Sequence, residues 1–133
     1  MKFKWLGIAA MISVLSTATF AISAPTNCPG LTALKQTPFV SAETTPAFPG
    51  KWYVMQKNNM YDTDGKWDFS IIVPIEVNDD TTAIFNRASA TVSQLLPAPG
   101  PRQITEDFWI CEYQLPGGNE AVAFYPSTDK FSR

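Results

Sequence analysis

The chain has 133 residues, 45% of them hydrophobic and 13% aromatic, with 10 basic groups against 12 acidic ones and no histidine. That hydrophobic content asks for a packed core and argues against a disordered chain. Without an imidazole, Ser-His and Cys-His catalysis, the usual zinc sites and His-ligated haem are excluded. No basic run is present outside the N-terminus, so neither nucleic acid nor an anionic membrane surface is an expected partner.

Lys2 and Lys4 form a short positive start, and residues 5–15 are apolar except at Gly7 and Ser13. Small and hydroxylated residues follow as far as Ala24. These are the three parts of a secretory signal peptide, expected over residues 1–24 with a single domain over 25–133. A transmembrane anchor needs about 20 predominantly apolar residues, more than this run supplies. Cleavage is therefore expected, leaving no integral membrane anchor. The mature part then carries eight basic groups, since Lys2 and Lys4 are lost, against 12 acidic ones. The expected location is periplasmic or secreted. In such an oxidising compartment Cys28 and Cys111, the chain's two cysteines, are expected to be joined. Closing so long a loop is worth roughly 4 kcal/mol.

The first element of the domain is a short helix over residues 29–36, with Pro29 in its first turn and Leu31 and Leu34 at helical spacing. Phe39 and Val40 give a short edge strand before an irregular stretch punctuated by Pro46, Pro49 and Gly50. Residues 51–56 form a strand with Trp52 and Val54 on one face. Residues 58–66 form a turn region.

Residues 67–77 carry the clearest β signal. Trp67, Phe69, Ile71, Val73, Ile75 and Val77 alternate without a break, which predicts one buried face. From Asp80 the period changes. Ile84, Phe85, Ala88, Val92, Leu95 and Leu96 recur every three or four residues, predicting a helix over about residues 80–96 that Pro97 stops. Phe85, Val92 and Leu96 are expected to pack on Phe69, Ile71 and Val73. Arg87 is expected to lie on the helix surface. After a proline-rich connection, residues 107–115 and 120–125 form two strands of a hairpin. Phe108 and Ile110 point to one side of the sheet, Trp109, Cys111 and Tyr113 to the other. One side is expected to meet the long helix, while Cys111 ties the opposite side to the N-terminal segment. The fold class is thus α+β: an antiparallel sheet of four or five strands on one long helix, with a short N-terminal helix tied by a disulfide.

Two constellations invite chemistry. The oxygens of residues 58–65 suggest calcium, but an EF-hand register places Met60 at the first ligand and Ile71 at the bidentate glutamate. That fit fails, and a polar turn accounts for the residues. Glu106, Asp107 and Glu112 are the acids that a hydrolase with paired carboxylates would use, though nothing in their spacing forms a cleft. No catalytic residue and no metal site is assigned. The aromatics Trp52, Tyr53, Tyr61, Trp67, Trp109, Tyr113, Phe124 and Tyr125 are numerous for one domain. Most belong in a core, and the rest are expected to form a patch on the sheet face opposite the helix, for a flat apolar ligand or a protein.

Cys28-Pro29, Gly50-Lys51-Trp52 and Tyr61-Asp62-Thr63 leading to Trp67 and Phe69 follow one another in a recognisable order. Gly100-Pro101, Trp109-Ile110-Cys111-Glu112-Tyr113 and Ala121-Val122-Ala123 ending at Pro126 continue it. In this order the chain resembles a family of short exported proteins, known mainly from Legionella and related bacteria, some of which are labelled hemin-binding protein. The resemblance implies a non-enzymatic exported protein that binds hemin or acts in host association. In a chain without histidine, the loop ligands for a hemin iron would be Met60 and Tyr61. No other cofactor is expected. A second reading is a small inhibitor-like protein that docks onto another protein by a loop or sheet edge.

Overall fold

The computed structural model describes residues 22–116 and 120–128. The expected signal peptide falls almost wholly outside them. The elements run α1 (Leu31–Gln36), β1 (Ser41–Glu43), β2 (Lys51–Asn59), β3 (Trp67–Pro74), α2 (Thr81–Val92), β4 (Arg102–Thr105), β5 (Phe108–Gln114) and β6 (Glu120–Tyr125). The strands make one antiparallel sheet in the order β1-β2-β3-β6-β5-β4.

The α+β class and the Cys28–Cys111 bond are as expected, the latter with Cα atoms 5.8 Å apart. The strand count is not: there are six described strands rather than four or five. The additional one is β4, which pairs Arg102 with Ile110. Its sequence is masked by Pro97, Pro99 and Pro101 just before it, and its four residues are all exposed, so it carries no alternation to read.

Several bounds also shift: the edge strand expected at Phe39 and Val40 is β1 at Ser41–Glu43, and β2 runs on through Asn59 into the expected turn region. β3 ends at Pro74, not at residue 77. Pro74 has no N–H for the ladder, and the next amide, of Ile75, bonds instead to the Gly50 carbonyl at 3.1 Å. Ile75 and Val77 therefore leave the sheet, Val77 being 89% exposed. α2 is 12 residues long and stops four residues before the expected end. Its start is capped by the Asp80 carboxylate, which accepts from the Ala83 amide at 2.8 Å.

The core lies on one face of the sheet. Trp67, Phe69, Ile71 and Val73 are at most 1% exposed and join Val54, Cys111, Tyr113, Ala121 and Ala123 in one buried cluster. Ile84, Ala88 and Val92 of α2, Leu34 of α1 and Phe39 complete it. The helix thus docks by the stripe 84–88–92, with Phe85 half-buried beside it against Phe39, ring centroids 6.1 Å apart. Leu96 is not in this core. It is 52% exposed and bridges Gln114 beyond the helix, while Leu95 takes the buried place. Cys111 faces the same side as α2, so disulfide, α1 and α2 share one layer, correcting the expected division between two faces.

Candidate functional site

The other face of the sheet has no helix over it among the described residues. Alternation along the strands brings Tyr53 and Met55 of β2, Ile72 of β3, Val122 and Phe124 of β6, and Phe108 and Ile110 of β5 onto this side. Each is half-buried, shielded by neighbours in the sheet, and none belongs to the core cluster. Aromatic pairs stand at two corners. Phe48 from the β1–β2 connection stacks on Tyr53 at 6.1 Å, and Phe108 stacks on Phe124 at 6.1 Å. Between them sits Ser70, only 5% exposed, paired with Met55 on one side and Val122 on the other. A small residue between two larger ones makes a shallow dip at the middle of the face.

One side of this face is closed by Asp68, itself 1% exposed. Its carboxylate accepts from the Asn58 amide (2.9 Å), the Ser127 hydroxyl (2.7 Å), and the Thr128 amide (3.0 Å) and hydroxyl (2.8 Å). Burial works to raise the pKa of this group, but the hydrogen bonds from Ser127, Asn58 and Thr128 outweigh it and hold the carboxyl below the usual carboxylate range. Asp68 ties the end of β2 to the segment after β6.

The opposite end is braced by Asp79. Its carboxylate accepts from the Trp52 indole (2.8 Å), the Glu76 amide (2.9 Å) and two nitrogens of Arg87 (2.8 and 2.7 Å). Arg87 donates in addition to the Pro74 carbonyl at 2.9 Å. It is a clamp between α2 and the end of β3, which corrects its expected role as a plain surface residue. The hydrogen bonds from Arg87 hold the Asp79 carboxyl far below its ordinary range.

The sequence-derived aromatic patch is thus only partly composed as expected. Tyr53 and Phe124 lie on the open face, whereas Trp52, Trp67, Trp109, Tyr113 and Tyr125 lie on the core side. Phe108 and Phe48, absent from that expectation, complete the face. Of the loop residues, Met60 is 46% exposed. Tyr61 turns inward against the core, donating its hydroxyl to Gln56 Oε1 at 2.9 Å. The two consecutive side chains diverge. Burial pushes the Tyr61 phenol well above its ordinary value, which disfavours the phenolate that binds ferric iron. Of the three acids, Glu112 pairs with Arg102 at 3.0 Å and Asp107 accepts from Thr105 at 3.0 Å, while Glu106 is exposed. No group of three or more metal-ligating side chains occurs among the described residues.

Two clefts flank the proline strap. One, of about 280 Å³, lies between residues 26–31 and 97–101 with Tyr113 in its wall. The other, of about 300 Å³, is lined by Leu96, Pro97, Pro99, Glu112 and Gln114. Neither takes in the aromatic pairs of the open face. No described helix is long and apolar enough to cross a membrane. Neither a known family, nor a curated protein, nor a solved structure matches this chain.

Proposed function

We propose that this protein is an exported, non-enzymatic interaction module whose contact surface is the face of the sheet that no described helix covers. The observation that carries this reading is the row Tyr53, Met55, Ile72, Val122, Phe124, Ile110 and Phe108, which spans four strands beside the Glu112–Arg102 ion pair with no described helix over it. A contiguous apolar area of this kind on a small domain marks a contact site. Its breadth across four strands favours a macromolecular partner, because small ligands are held in concave pockets and neither cleft beside the proline strap takes in the aromatic pairs. Export is supported by the expected signal peptide and accords with the Cys28–Cys111 disulfide. A planar apolar ligand such as hemin is the second reading, favoured by the stacked pair Phe108 and Phe124.

The test is a photoreactive phenylalanine analogue placed at Phe124 in the exporting cell, with Asn86 on the outer side of α2 as the control position. Cross-links to protein from position 124 but not 86 are the expected result. Cross-linking equal at both positions, or none at all, overturns the reading. Titration of the exported product with hemin is expected to leave the hemin absorbance unchanged. A saturating shift lost in Phe124→Ala would put the planar ligand in place of the protein.

A further inference from the structure

We propose that Cys28 is a site of reversible S-thiolation: a small thiol enters the cleft between residues 26–31 and the proline strap and opens the Cys28–Cys111 bond at Cys28 alone. The first argument is access. Cys28 stands in the wall of this cleft between Asn27 and Pro29, whereas Cys111 is not among its lining residues. Cys28 is half-buried and Cys111 is 0% exposed. Exchange requires a thiolate in contact with one sulfur of the disulfide. The bond therefore offers a single atom to attack, Sγ of Cys28.

The second argument is size. Ligand pockets run from about 300 Å³ upward, and this cleft, at about 280 Å³, lies at the small-molecule end. Its far wall is the strap, whose Pro97, Pro99 and Pro101 each have a fixed φ and stiffen it. A cysteine carried on a folded protein brings its own backbone with it, and the strap stands in the way. A free thiol of a few heavy atoms has no such burden.

The exchange balances with that one thiol as co-reactant. Its thiolate attacks Sγ of Cys28, the bond to Cys111 breaks, and the electron pair leaves on Sγ of Cys111, which takes up the proton the thiol released. The entering sulfur is oxidised into a mixed disulfide with Cys28, and Cys111 is reduced to a thiol. The N-terminal segment stays in place without the bond. The Pro29 carbonyl still accepts from the Tyr113 hydroxyl, and the Gly30 amide still donates to Asp62 at 2.9 Å. With the two cysteines held near each other, Cys111 can expel the small thiol and restore the bond once free thiol is removed.

The test reads each cysteine alone. In Cys111→Ala, with circular dichroism confirming the fold, Cys28 is expected to react with hydroxyethyl disulfide in buffer within about tenfold of its rate in urea. In Cys28→Ala, Cys111 is expected to react at least about a hundredfold slower in buffer than in urea, because it waits for the chain to open. In the folded wild-type protein treated with 2-mercaptoethanol and quenched in acid, peptide mass spectrometry is expected to place the adduct on Cys28. Where a variant does not fold, this wild-type adduct decides. The proposal is overturned if Cys28 also waits for unfolding, if the two cysteines react alike in the folded variants, or if the wild-type adduct lies on Cys111, on both, or on neither.

Discussion

The side-chain amide of Gln56, wholly buried in β2, donates to the carbonyls of Leu34 and Thr37 at 2.9 Å each. Leu34 lies in the last turn of α1, where carbonyls have no partner within the helix. A six-residue helix is marginal by itself, so a sheet residue finishes it. Gln56→Leu removes its bond to the Thr37 carbonyl and leaves the Leu34 carbonyl with only the Thr37 amide at 3.4 Å, and each unsatisfied buried group costs about 1–3 kcal/mol. Chemical denaturation is expected to show a loss of that order or more. A variant as stable as wild type would mean that α1 is held by Leu34 and the disulfide alone.

Leu95 and Leu96 are neighbours with opposite fates, 5% and 52% exposed. Leu95→Ala is expected to cost about 2–5 kcal/mol, as for other buried leucines, and Leu96→Ala well under about 1 kcal/mol. Equal losses in equilibrium unfolding would contradict the way the chain leaves α2.

Arg87→Ala removes the fork on Asp79 and the bond to Pro74 together. The connection between β3 and α2 is expected to loosen, with a lowered melting temperature. Arg87→Lys should restore little, because an ammonium cannot match two carboxylate oxygens in the plane of a guanidinium. Full rescue by lysine would show that charge alone matters at this point.

Stability is expected to fall at both ends of the pH scale. Burial raises the pKa of Tyr61, and burial with the neighbouring Tyr61 and Asp62 raises that of Tyr113. Both phenols therefore contribute stability that is present below about pH 10, the unfolded tyrosine value, and is lost as the pH rises above it. The depressed carboxyls of Asp68 and Asp79 act in the opposite sense. Their contribution is present above about pH 4 and is lost as the pH falls below it. Phenolate absorbance should rise together with unfolding for Tyr61 and Tyr113. Asp68→Asn and Asp79→Asn should each flatten the acid side of the stability curve, and an unchanged acid slope in both would sink this assignment.

Denatured, unreduced protein is expected to show no free thiol. Reduction should lower stability by roughly 4–5 kcal/mol, given a sequence separation of 83 residues. Two labelled cysteines before reduction would refute the bond.

What the sequence determined by itself is whatever depends on local period and on composition. Trp67, Phe69, Ile71 and Val73 announce a buried strand face because every second residue falls on the same side. The stripe of Ile84, Ala88 and Val92 announces a helix because every fourth residue does. The missing histidine and the cysteine pair bounded the chemistry without any geometry. Tertiary structure decided what depends on long-range pairing. β4 exists because Arg102 meets Ile110, and no local pattern marks that pairing. Ile75 and Val77 continue the alternation of β3 yet are exposed, because Pro74 ends the ladder and Ile75 bonds to Gly50. The open face was legible only in outline, as an aromatic patch opposite the helix, and its membership was not. Phe48, Tyr53, Phe108, Val122 and Phe124 come from four segments and look like core residues in the sequence. Both described helices fold over the opposite side of the sheet, with the disulfide joining the N-terminal segment there, and that arrangement leaves these residues without a described helix over them.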